Sequence, residues 1–117
     1  MAIERFRGKA TGRSKAVGFD RLLWVVANAA DPGLPFREQV DQTLASLDQS
    51  LRDAGSDRAG LLSVQVFLAK MEHKPAFDTA WVEWIGPDPA AWPQRACVEA
   101  GLDGGLLIEI VAVAARR

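Results

Sequence analysis

Pro93-Gln94-Arg95-Ala96-Cys97-Val98-Glu99-Ala100-Gly101-Leu102, followed by Leu106-Leu107-Ile108-Glu109-Ile110, is the stretch on which the reading of this chain turns. Both runs are mostly apolar and long enough to be strands, and the link Asp103-Gly104-Gly105 reads as the turn of a hairpin joining them. One guanidinium, Arg95, and fourteen residues later one carboxylate, Glu109, interrupt the apolar pattern. A charge inside a strand is costly to desolvate unless it is paired or faces a wet cavity. Arg95 and Glu109 are therefore the first candidates for a functional site. The alternative is that both point to water from a one-sided antiparallel sheet, where half of all positions do so.

The chain has 117 residues, of which 49% are hydrophobic, a composition suited to one globular domain spanning 1–117. The apolar run Leu106 to Ala115 is too short for a membrane span and contains Glu109. Met1-Ala2-Ile3-Glu4-Arg5-Phe6-Arg7 is charged and lacks the apolar stretch of a secretory signal, so a cytoplasmic protein with no membrane partner is expected. Cys97 and His73 are the single representatives of their types, which excludes an intramolecular disulfide and disfavours a zinc site. His73 stands beside Lys74-Pro75 in an expected loop, with no nucleophile elbow near it. Lys and Arg total 14 against 15 Asp and Glu, so no general field attracts nucleic acid. Arg5, Arg7, Lys9, Arg13 and Lys15 make the N-terminal segment locally basic. With no aromatic residues between the later charges, it reads as a solvated edge.

In order, residues 1–18 read as two short strands punctuated by Gly8, Gly12 and Gly18. Leu22-Leu23-Trp24-Val25-Val26-Ala27 is a charge-free, branched and aromatic run, expected as a buried central strand. Asp31-Pro32-Gly33-Leu34-Pro35 breaks it. From Phe36 to Ala54, the spacing of Phe36, Val40, Leu44, Leu47, Leu51 and Ala54 predicts an amphipathic helix stopped by Gly55. Leu61 to Lys70 alternates, with Leu62, Val64, Val66 and Leu68 on one face and Ser63, Gln65 and Phe67 on the other. A second helix follows, with Pro75 in its first turn, a core stripe of Phe77, Ala80, Trp81 and Trp84, and an end at Gly86-Pro87. The resulting order, β-β-β-α-β-α-β-β, predicts an α/β (α+β) two-layer sandwich with two helices on one face of a mixed sheet. The other face is expected to carry apolar side chains such as Val25, Ala27, Phe67 and Val98. Self-association would cover them.

The pattern Pro93-x-Arg95-x-Cys97-Val98, then Leu102, then Ile108-Glu109-Ile110-x-Ala112-x-Ala114 resembles the C-terminal signature of the RidA/YjgF family. Leu22-Leu23-Trp24-Val25, Gln42-Thr43-Leu44-x-x-Leu47, Gly55, Val64-x-Val66-Phe67-Leu68 and Phe77-Asp78-x-Ala80-Trp81 continue the likeness from about residue 12 onward. The resemblance implies a chorismate-mutase-like fold assembled as a homotrimer with clefts between subunits. It implies hydrolysis of reactive enamines and imines, derived from amino acids, to 2-oxo acids and ammonia, with neither metal nor organic cofactor. It makes Arg95 the clamp on a substrate carboxylate and Glu109 the group that orients or deprotonates the attacking water. Cys97 would line the cleft, and Arg13 and Ala27 would stand at substrate-contacting positions.

The chain also departs from that pattern. It has no Tyr, and Arg13 stands near the place of a Tyr common in the family. Val26-Ala27 replaces a frequent Ser-Gly, Asp78 a common Asn, and Trp81 a common Tyr. The alternative function is a non-catalytic member that binds a small metabolite or a protein partner in the same cleft. Nucleic-acid cleavage and chorismate chemistry are disfavoured by the balanced charge and by the single clamp arginine.

Overall fold

The computed structural model describes residues 2–117. Its strands are β1 (Ile3–Arg7), β2 (Ser14–Phe19), β3 (Leu22–Asn28), β4 (Leu61–Leu68), β5 (Gln94–Glu99) and β6 (Ile108–Ala115). Two helices, α1 (Phe36–Asp53) and α2 (Lys74–Ile85), lie between them in sequence. The strands form one six-stranded sheet in the order β1-β2-β3-β6-β4-β5, mixed in sense because β4 and β5 are parallel while the other neighbours are antiparallel. This is the two-layer α+β arrangement expected from the element order.

The expected hairpin between the Arg95 and Glu109 runs does not form. β5 lies outside β4 and parallel to it, with α2 as the crossover that parallel pairing requires. β6 lies on the other side of β4, inserted between β3 and β4. The connection between the two runs therefore passes over the end of β4. The Ala100 amide donates to Leu68 O at 2.9 Å, and the Ala69 amide donates to Leu107 O at 3.0 Å. Gly-rich sequence marked a reversal correctly but could not say that another strand lay inside it.

Alternation along each strand sets two unlike faces. Leu23, Val25, Ala27, Val64, Val66, Leu68, Ile108, Ile110, Ala112 and Ala114 are buried beneath the helices. Val25 and Ala27 thus belong to the helix-covered face, not to the open face where the sequence reading put them. The open face carries Phe67 and Val98 as expected, together with Leu22, Trp24, Val26, Val111 and Val113. On that face Trp24 remains 41% exposed and Val98 41% exposed. A register irregularity between Leu61 and Ser63 turns Leu61 into the core and Leu62 outward, reversing the expected place of Leu62.

Both helices match their apolar stripes. Phe36, Val40, Leu44, Leu47, Leu51 and Ala54 are all buried, and Gly55 takes φ 85° just past the end of α1. Phe77, Ala80 and Trp81 of α2 are buried, with Trp84 packed at the margin of the core. The groove between the helices is bridged by the ion pair from Arg37 of α1 to Glu83 of α2, while Arg58, ahead of β4, pairs with Asp48 at its margin. Among the described residues, no helix is long and apolar enough to cross a membrane.

Candidate functional site

Arg95 projects from the edge strand β5 onto the helix side. Cross-strand pairing sets it beside buried Val64, and Cys97 beside buried Val66. Its guanidinium lies over two rings of α2, with centroid distances of 5.2 Å to Phe77 and 5.5 Å to Trp81. Such stacking suits the planar, weakly hydrated guanidinium and fixes its plane. Arg95 Nη2 donates to Asp78 Oδ1 at 2.8 Å, while Lys74 Nζ donates to Asp78 Oδ2 at 2.8 Å. Burial pushes the Asp78 carboxyl up, but the bonds from Lys74 and Arg95 outweigh it and hold the group below its usual range. Asp78 is therefore an ionised carboxylate already resting on the arginine. Two cations and one anion leave this corner with a surplus positive charge.

Cys97 is half-buried on the same face, two residues along β5. Burial pushes its thiol up, only partly offset by Arg95 and Lys74. A thiol so held stays protonated at neutral pH and is a poor nucleophile.

Glu109 is on the other face. Its neighbours in sequence, Ile108 and Ile110, are fully buried beneath the helices, so Glu109 points to the open side between Asn28 and Phe67 of the flanking strands. Asn28 Nδ2 donates to Glu109 Oε1 at 3.5 Å, a long contact that orients the carboxylate while leaving acceptor capacity free. One protomer therefore does not bring Arg95 and Glu109 together: the sheet separates them.

Arg13 lies at the turn between β1 and β2, just after Gly12, whose φ of 86° a residue with a side chain adopts only under strain. Pairing of β2 with β3 stops at Ala16 and Val25, so the β1–β2 ribbon parts from β3 there. The gap is a groove of about 750 Å³ lined in part by Arg13, Lys15, Val26, Asn28 and Gln42. Ala27 itself is 3% exposed, with its methyl in the core. Ala27 is not among the residues that line the groove, although its neighbours Val26 and Asn28 are.

The sequence reading missed Asn28 as the partner of Glu109 and Gln39 as the anchor of the connection before β6. Gln39 is fully buried; its Nε2 donates to Pro32 O, Leu34 O and Gly105 O, and its Oε1 accepts from the Leu107 amide at 2.9 Å. Its place three residues after Phe36 put it on the apolar stripe, which was the available signal. His73 carries no catalytic constellation; it stacks on Phe36 with ring centroids 4.2 Å apart. Among the described residues no cluster of His, Cys, Asp and Glu could hold a metal ion.

A mixed six-stranded sheet with helices on one face, an arginine on its edge strand and a carboxylate on its open face defines a class of small α+β proteins. Known proteins identify which one. Residues 27–116 match the family model described as endoribonuclease L-PSP. The chain is 38% identical over 78 residues to a RutC family protein of Haemophilus influenzae, a match spanning 66% of this chain and 66% of the relative. It is 37% identical over 79 residues to the RutC family protein YoaB of Escherichia coli, covering 67% of this chain and 68% of that one. A YjgF-family structure from Neisseria meningitidis superposes with TM-score 0.91 at 30% identity, covering 100% of this chain and 97% of the other. The chain belongs to the RidA/YjgF family.

Proposed function

We propose that this protein is an imine and enamine deaminase of the RidA type, acting in clefts between the subunits of a homotrimer. The observation that carries the reading is the separation of Arg95 and Glu109 on opposite faces of one sheet. A site using both takes Arg95 from one copy and Glu109 from another. β5 is an edge strand, and the open face bearing Glu109 is apolar and uncovered in the single chain. Laying that face against a neighbour's β5 edge buries the exposed apolar side chains and closes a cleft between the two groups.

In that cleft the Arg95 guanidinium receives the substrate carboxylate on N–H groups not used by Asp78. Glu109, turned by Asn28, accepts a proton from a water. The water oxygen bonds to the imine carbon as that proton leaves it, while the C=N π pair moves to nitrogen and takes a proton. Glu109 then returns its own proton to the nitrogen of the carbinolamine. Loss of the hydroxyl proton forms C=O as the C–N bond breaks and ammonia leaves. The products are a 2-oxo acid and ammonia, and the balance requires no oxidant, reductant or cofactor. The protein is soluble and cytoplasmic in this reading, with no nucleic-acid or membrane partner.

A second reading, a small-carboxylate-binding protein without turnover, is favoured by the missing Tyr and by Val26-Ala27 in place of a hydroxyl and a glycine. The two separate in one assay. An amino-acid oxidase generates imines while semicarbazide competes to trap them. Wild-type protein is expected to accelerate loss of imine, with the rate falling about 100-fold or more in Arg95→Ala and in Glu109→Gln. Absence of acceleration by folded protein on every imine, with carboxylate binding retained, would replace the deaminase by the binding protein.

A further inference from the structure

The groove between the β1–β2 ribbon and β3 has a one-signed lining. Its charged residues are Arg7, Lys9, Arg13 and Lys15, and no carboxylate lines it. Lys15 is committed to Asp53, Nζ to Oδ2 at 2.8 Å. Among the described residues, Arg7, Lys9 and Arg13 take part in no ion pair. Outside the groove Arg37, Arg58, Lys74, Arg95, Arg116 and Arg117 are in such pairs. Among the described residues Arg5, Arg21, Arg52 and Lys70 are not, but they share no concave surface with one another in the way the groove cations do. Three like charges converging on one concave surface repel each other, and a bound anion relieves that repulsion.

The groove also holds neutral hydrogen-bonding groups, Ser14, Asn28, Gln42 and Ser46. Asn28 is the link to the chemistry: it lines the groove and also holds Glu109. Glu109 does not itself line the groove, but only the Asn28 side chain stands between the two. At about 750 Å³ the space is well within the range of small-ligand sites and far larger than a methyl or ethyl side chain needs.

We propose that this groove is a second anion subsite, and that the substrate is a dicarboxylate-type imine whose side-chain anion is held by Arg13, Lys9 and Arg7. The proposal rests on the cleft reading above and narrows it from imines in general to those derived from acidic amino acids. The first carboxylate goes to Arg95 of one subunit, the reacting carbon sits at Glu109 of the next, and the second anion enters the groove beyond Asn28. Arg13, presented by the Gly12 turn and in no ion pair among the described residues, is the groove cation placed to set this preference.

Calorimetric titration with succinate and with butyrate, which share a four-carbon chain and differ by one carboxylate, isolates the second anion. Succinate is expected to bind about 10-fold more tightly to wild-type protein, and the advantage to shrink as salt is raised. In Lys9→Gln/Arg13→Gln, shown to be folded by circular dichroism and thermal melting, the succinate-to-butyrate ratio is expected to approach one. Equal affinities in wild type, or a preference that survives in the double variant, would overturn the subsite. Imine hydrolysis is measured separately on products of oxidases acting on acidic and on neutral amino acids. Succinate preference without turnover would sink the deaminase and leave the subsite standing; turnover without preference would do the reverse.

Discussion

At the level of single residues, Asp78 limits what Arg95 is free to bind. A carboxylate at 2.8 Å from Arg95 occupies part of the guanidinium that an incoming carboxylate would use. Because its pKa is depressed, Asp78 remains ionised at every pH above about 4, and the contact weakens only in stronger acid. Asp78→Asn keeps the shape and a carbonyl acceptor for Arg95 but removes the negative charge. Affinity for a simple monocarboxylate such as butyrate is expected to rise about 3- to 10-fold, without pH dependence between roughly pH 6 and 8. Titration of the variant against wild type reads this directly. Weaker binding would mean that Asp78 serves mainly to aim the guanidinium.

At the level of elements, the amphipathic helices and alternating strands were legible because each buries one face, and that leaves a period in the sequence. What stayed hidden was register and neighbourhood. Nothing local in Leu106 to Ala115 says that β6 pairs with β3 and β4 rather than with β5, since pairing partners are chosen by long-range fit. The same blindness put Val25 and Ala27 on the wrong face and joined Arg95 to Glu109 as if they shared one wall. Arg95 and Glu109 themselves stood out correctly as charges in apolar strands; Asn28 did not, being an ordinary polar residue at a strand end. Gln39 was silent for a different reason, because an amide on a helix stripe looks like an imperfection until its partners are seen. Gln39→Leu leaves the Leu107 amide and three carbonyls without their buried partner, at a cost of roughly 2–4 kcal/mol, measurable by denaturant unfolding. A loss much smaller than this would mean that water replaces the amide.

For the whole molecule, the open face of the sheet is the feature that asks for a partner. Trp24 lies in register with Val17 on one side and Val113 on the other, in a field of apolar side chains no helix covers. A homotrimer is expected to give a solution mass three times the 12.7 kDa of the chain by light scattering. Trp24→Glu places a charge in the middle of that face and is expected to shift the protein to monomer, with deaminase activity lost although neither Arg95 nor Glu109 is altered. An active monomer would show that a single chain completes the site.

The insertion of β6 between β3 and β4 bears on how the chain comes to be made. Ribbon β1–β2–β3 and pair β4–β5 have no strand contact with each other until the last segment of the chain enters the slot between them. The closing contacts with β3 span most of the sequence, as when Leu22 meets Ala115 and Asn28 meets Glu109. On the ribosome, everything before Leu106 is thus two half-sheets with raw edges, unable to seal until β6 is available. Closure of the sheet waits for β6, the strand that also carries Glu109. A nascent chain that stalls short of this strand exposes two raw edges, those of β3 and β4.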